Sequence, residues 1–129
     1  MLEVTAAIIR QQDRVLITKR PPEDKHPLKW EFPGGKLEAG ETPEDCLKRE
    51  ILEELNLNVE VLNLFGVVEY SYSWGSIRLI AYEARILSGQ MELKVHYAAH
   101  WAPIRELENY DFLPADIDLL KMLKEKYPS

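Results

Sequence analysis

Hydrophobic and polar positions along this chain change period several times, and each change marks an element. Val4 to Gln11 (VTAAIIRQ) is a nearly continuous apolar run, and Arg14 to Lys19 (RVLITK) follows it after the polar Gln11-Gln12-Asp13. Two such runs across a short polar turn predict a β-hairpin. Residues 21 to 30, PPEDKHPLKW, carry three prolines and mixed charge, which reads as a loop of a length that is often functional. Glu31-Phe32-Pro33 is a short extended piece leading into Gly34-Gly35. From Pro43 the period turns helical: Leu47, Ile51 and Leu55 recur every four residues as a buried stripe. Thr42 reads as the N-cap, Pro43 as the first helical residue and Asp45 as the third position of a capping-box-like arrangement. Asn56 suits the left-handed conformation that ends a helix, so the helix is predicted over Pro43 to Leu55. Val59 to Tyr72 and Ile77 to Leu87 return to a β pattern around a turn at Ser73 to Ser76. After Ser88-Gly89, Tyr97 to Ala102 reads as a last strand. Short helical pieces are expected near Ile104 to Leu107 and from Pro114 to Lys126. Strands outnumber helices without repeating a βαβ unit, which predicts the α+β class, a mixed sheet with flanking helices. One domain over residues 1–129 suits the length.

The helix carries acids where its own physics opposes them. Glu50, Glu53 and Glu54 span an arc of roughly 100° on the wheel. Glu50 and Glu54 repel as i,i+4 like charges, and Glu53 and Glu54 sit in the last turn, where the helix dipole prefers cations. A local rule broken this clearly points to a functional site. Carboxylates crowded on one face are what a hard divalent cation such as Mg²⁺ needs, with Mn²⁺ its expected stand-in. A solvated charged face is the competing reading.

Composition narrows the classes. A formal net charge of −6 and a pI near 5.1 argue against a general binder of nucleic-acid polymers, which normally shows a basic surface. No stretch approaches the ~20 apolar residues of a membrane span, and the N-terminus lacks the basic region of a signal peptide. The lone Cys46 excludes an intrachain disulfide and suits a reducing cytoplasm, the expected location. Within the helix, among apolar neighbours, Cys46 is expected to be a small core residue rather than a nucleophile.

The spacing Gly35, Glu41, Arg49-Glu50-Ile51, Glu53-Glu54, Asn56-Leu57 resembles the Nudix signature at every position except the late glycine, here Asn56. Asn tolerates the same backbone conformation, so the departure is mild. The resemblance implies a mixed sheet sandwiched between helices. It also implies hydrolysis of a nucleoside triphosphate, with Glu50, Glu53 and Glu54 as metal ligands and a carbonyl of the Gly34-Gly35 pair, Gly34 for preference, completing the shell. Arg49 and Glu41 look like the family's supporting pair, with Arg49 orienting a catalytic carboxylate; plain salt bridging is the alternative. In MutT-like members a further Glu precedes a His before the last strand, but here Val95 precedes His96. The general base is then expected among the helix glutamates, Glu53 first, or as a water between metals. Glu92 is the substitute only if its loop folds back, while His96 and His100 read as structural.

Outside the signature, WEFPGG and YDFLPADIDLLKML are similar to the MutT-like branch and its bacterial CTP pyrophosphohydrolases. By that resemblance Asp116 contacts the base, and an ionised carboxylate there would accept from donor-rich edges such as the cytosine N4 amine. Dipole complementation in a first helical turn is the other reading of Asp116. Phe32 is a candidate to pack on the base or in the core. Arg20 and Arg78 are candidate phosphate or base contacts, or solvated strand residues. The leading expectation is a Mg²⁺-dependent pyrophosphohydrolase favouring CTP-like substrates, monomeric or weakly dimeric. An oxidised-purine triphosphatase and a non-catalytic Nudix-fold binding module are the alternatives.

Overall fold

The computed structural model describes residues 1–128. Strand β1 (Leu2–Gln11) shows why the first run is apolar throughout. Ala6 and Ile8 enter one core while Ala7 and Ile9 enter another, so both faces of the strand are covered. Around it are β2 (Arg14–Lys19), β3 (Trp30–Glu31), helix α1 (Pro43–Leu55), β4 (Asn58–Tyr72), β5 (Gly75–Ser88) and β6 (Ala98–Pro103). A 3-10 turn (Ile104–Asn109) leads into α2 (Pro114–Lys126). The sheet runs β3-β2-β1-β5-β4, with β6 on the other edge of β2. It is mixed: β1 and β5 are parallel and the other strand pairs antiparallel. Helix α1 covers one face, with Leu47, Ile51 and Leu55 against Ala7, Ile9 and Leu16. Helix α2 covers the other, with Leu119, Leu120 and Leu123 in the core of Ala6, Ile8 and Ile17. The α+β sandwich is as the sequence predicts.

The boundaries differ in small ways that have causes. Strand β3 ends at Glu31 because the Phe32 N–H is taken by the Asp116 carboxylate and Pro33 has no N–H to give. The turn expected at Ser73 to Ser76 is tighter, since β5 already begins at Gly75.

The feature that builds the site is a hairpin that opens. Strands β1 and β2 pair only next to their turn, Arg10 with Val15 and Gln11 with Arg14. Farther out, the returning chain fills the wedge. Strand β3 pairs with β2, and the next residues cross to β1. There the Thr5 N–H donates to the Gly35 carbonyl at 2.7 Å and the Ala7 N–H to the Pro33 carbonyl at 2.8 Å. Helix α1 grows out of this crossing. Its N-cap is Thr42, whose hydroxyl accepts the Asp45 N–H at 3.1 Å, and Asn56 closes it at φ 59° and ψ 33°. Past β5 the chain folds back onto the helix end. The Lys94 N–H donates to the Glu54 carbonyl at 3.1 Å and the Glu92 N–H to that of Leu55 at 3.0 Å. Two carbonyls the helix cannot satisfy itself are thereby paired, and the segment carrying His96 is moored beside the acidic face.

Candidate active site

Arg49 organises the exposed half of the acidic face. Its guanidinium grips Glu41 with two bonds, Nε to Oε2 at 2.7 Å and Nη2 to Oε1 at 2.9 Å. Nη1 reaches Glu50 at 2.7 Å and Glu53 at 3.3 Å. The Glu41 carboxyl is held down to about 2 by this fork and by the Glu38 N–H. Glu50 rests against the backbone of Gly35 so closely that a Cβ there would lie 2.4 Å from its carboxyl. Burial raises the Glu50 pKa, and Arg49 opposes the rise.

Glu54 lies deeper. Its Oε1 is buried without a hydrogen-bond partner among the described residues. Burial pushes this carboxyl up to about 7; nearby His96 opposes the shift, Glu50 and Glu31 add to it, and Arg20 opposes it. Glu31 receives Arg20 Nη1 at 2.7 Å on one oxygen and lies 2.9 Å from His96 Nε2 on the other. The sequence reading missed Glu31. The signal was the alternation itself: Trp30 and Phe32 both enter the α2-side core, which turns Glu31 to the opposite face, towards α1.

The three helix carboxylates expected together are divided. Glu50 and Glu54 turn inward, whereas Glu53 is 59% exposed, with Arg49 as its ion-pair partner. Among the described residues no group of three His, Cys, Asp or Glu side chains is placed to hold a metal ion. A hard cation that keeps its waters and leans on substrate phosphates does not require such a cage. The orphaned Glu54 Oε1 suits that cation, since a buried carboxylate oxygen calls for a cation or a hydrogen-bond donor beside it. Of the two glycine carbonyls, that of Gly35 is used by Thr5, through both its N–H and its hydroxyl, while no described donor reaches that of Gly34.

Other candidates fare unevenly. Arg20 sits beside the carboxylates, but its guanidinium is spent on Asp24 and Glu31, each at 2.7 Å. Arg78 instead pairs with Glu69 at 3.2 Å and Glu3 at 3.5 Å as a partly exposed strand residue, with no ion pair to the helix carboxylates among the described residues. The Phe32 ring is core, 3% exposed and packed on Phe112, so it offers no open platform. Its backbone instead fixes Asp116, whose Oδ2 accepts the Phe32 N–H at 2.9 Å. Burial holds the Asp116 carboxyl well above the usual range, so treating it as an ionised acceptor needs correction: burial favours the acid. The Glu92 backbone does fold back, but its side chain stays exposed and Val95 points outward. Cys46 is buried, as expected.

The NUDIX domain model matches residues 1–123. The chain belongs to the NUDIX family. Among its Nudix relatives, the CTP pyrophosphohydrolase of Escherichia coli K12 is 34% identical over 94% of this chain and 90% of that protein. The 8-oxo-dGTP diphosphatase of the same strain is 32% identical over 95% and 96%. The solution structure of the E. coli ORF135 protein superposes with a TM-score of 0.83 at 32% identity, covering 100% of this chain and 94% of that one. The MutT protein of Methanosarcina mazei Go1 shares the fold at a TM-score of 0.86 and 20% identity, over 99% and 96%. This chain is therefore a Nudix hydrolase of the MutT-like group. None of its described helices is long and apolar enough to cross a membrane.

Proposed function

We propose that this enzyme is a single-domain, cytoplasmic, Mg²⁺-dependent pyrophosphohydrolase that splits nucleoside triphosphates into the monophosphate and pyrophosphate, with cytosine nucleotides favoured. The observation that carries the reading is the buried, unpartnered Glu54 Oε1 beside Glu50, with the free Gly34 carbonyl on the same crossing. Glu50, Glu54 and the Gly34 carbonyl would hold the ion, with Glu53 joining through the substrate-loaded state. A divalent ion bound there supplies charge neutralisation for the polyphosphate and lowers the pKa of a water. Arg49, braced by Glu41, fixes the Glu50 carboxylate. A helix carboxylate, Glu53 first because it is the accessible one, takes the proton as water attacks the β-phosphorus and the α–β anhydride bond breaks. Mixing the protein with Mg²⁺ and CTP, dCTP, 5-hydroxy-dCTP or 8-oxo-dGTP, and identifying the products, tests this. The monophosphate plus pyrophosphate is expected; release of orthophosphate would overturn the reaction assigned.

The base is read through Asp116. With Oδ2 accepting from Phe32, the acid form carries its proton on Oδ1 and donates. Cytosine N3 accepts such a proton, and so does the O6 oxygen of an oxidised guanine, which supports the second reading of an 8-oxo-purine substrate. Protonation is lost as pH rises through a raised pKa, so base selectivity of the wild type falls with increasing pH. Asp116→Asn, whose amide always donates, is expected to keep its selectivity over the same pH range. Asp116→Ala should lose on the order of 10² in kcat/KM. Parallel pH profiles of wild type and Asp116→Asn would remove Asp116 from base recognition.

A further inference from the structure

His96 is not used by the scheme above, yet its surroundings single it out. Its side chain is 3% exposed, far below what an idle histidine on a strand-entry loop needs. Nε2 lies 2.9 Å from the Glu31 carboxylate, while Nδ1 is buried with no partner among the described residues. Glu31 already accepts from Arg20 Nη1 at 2.7 Å, so in this contact the imidazole is the donor and its proton is on Nε2. In the neutral ring Nδ1 is then a lone pair, and a buried acceptor without a donor is costly unless something is meant to fill it. Among the described residues the other such atom is Glu54 Oε1, and the segment carrying His96 is tied to that same residue, the Lys94 N–H donating to the Glu54 carbonyl at 3.1 Å. Two orphaned acceptors therefore belong to neighbouring groups. While the ring is neutral they cannot satisfy one another, and both need a donor or a cation between them.

We propose that His96 is a positioning residue of the metal site: Glu31 locks the imidazole through Nε2, and Nδ1 accepts a hydrogen bond from a water of the Mg²⁺ ion held at Glu54. A carboxylate–histidine pair set behind a metal-bound group is a recurring way of orienting that group. In this chain it would supply from β3 and the 89–97 segment the support that Val95, 53% exposed and without a carboxylate, cannot give. The role rests on the metal reading above.

The test is a calorimetric Mg²⁺ titration of wild type, His96→Gln, His96→Asn and Glu31→Gln without nucleotide, alongside ¹⁵N spectra of the imidazole. Glutamine reproduces the Nε2 side of the ring and asparagine the Nδ1 side. His96→Gln and Glu31→Gln are expected to weaken Mg²⁺ binding at least tenfold, whereas His96→Asn, keeping an acceptor where Nδ1 was, should stay within about threefold. In the wild type the Nδ1 resonance should shift on adding Mg²⁺ while Nε2 keeps its proton, a readout that does not depend on any variant folding. Equal Mg²⁺ affinity in wild type and His96→Gln, or an Nδ1 resonance unmoved by saturating Mg²⁺, would overturn the proposal. No Mg²⁺ binding by the wild type would instead bring down the metal reading beneath it.

Discussion

Glu54→Gln is expected to lower kcat for nucleotide hydrolysis by 10³-fold or more and, without metal, to raise the melting temperature above pH 7 by a few degrees. Both effects have one cause. Ionised Glu54 is half-buried, faces Glu50 and Glu31, and has an oxygen with no partner. Its folded-state pKa, about 7, stands above the ordinary 4.5, so the folded protein binds this proton more tightly than the unfolded chain. The stability it contributes is present in full below pH 4.5 and is lost as pH rises through 7. Allowing for partial screening by solvent, the loss is about 1–2 kcal/mol. Glutamine has the same shape without that charge, so the metal-free variant is spared the loss, and near pH 4 the two proteins should melt together. Mg²⁺ should reverse the order, stabilising wild type at pH 8 and leaving Glu54→Gln unchanged. Undiminished turnover by the variant, or wild-type melting indifferent to Mg²⁺, would remove Glu54 from the site.

That strain was partly legible without coordinates. The i,i+4 repulsion of Glu50 and Glu54 and the absence of cations in the last turn were visible as broken helix rules, and the Thr42 cap, Asn56 stop and Leu47-Ile51-Leu55 stripe fixed how the helix lies. The inward turn of Glu50 and Glu54 and the outward turn of Glu53 follow from where that stripe meets β1, a tertiary fact that the wheel alone blurs. Glu31 was harder to see. Its importance depends on β3 wedging into an opened hairpin, and hairpin opening is decided by long-range pairing of residues 33 to 37 with β1. Asp116 illustrates a different limit. Its position in the first turn of α2 was read correctly, but the rise of its pKa depends on burial beside the Phe32 backbone, which no local pattern encodes. Arg20 and Arg78 look alike in sequence as strand arginines. Only their carboxylate partners separate one beside the site from one on the sheet surface.

The crossing strand should respond to substitution very differently at two adjacent glycines. Neither has a positive φ, so what an added methyl meets decides the outcome. At Gly34 a Cβ would stand 2.0 Å from the Thr5 carbonyl oxygen and 2.7 Å from its carbon, both backbone. Relief requires the 33–37 segment to lift off β1, giving up the bonds from Thr5 and Ala7. Two lost backbone bonds at about 1 kcal/mol each, with about 1–3 kcal/mol of overpacking strain, make Gly34→Ala destabilising by about 3–5 kcal/mol. Against a typical total of 5–15 kcal/mol that is a severe loss, measurable as a lower urea midpoint. At Gly35 the nearest atoms the same methyl meets belong to the Glu50 side chain, its carboxyl at 2.4 Å and its Cγ at 2.7 Å, a flexible side chain that can swing aside. Gly35→Ala should therefore unfold within about 1 kcal/mol of wild type yet lose roughly 10²-fold in kcat, because Glu50 is pushed from where Arg49 holds it. The pair separates a contact that builds the scaffold from one that sets the chemistry. Equal unfolding midpoints for Gly34→Ala and wild type would show that β1 and the crossing strand can part freely. Full activity in Gly35→Ala would show that the position of Glu50 does not govern the reaction.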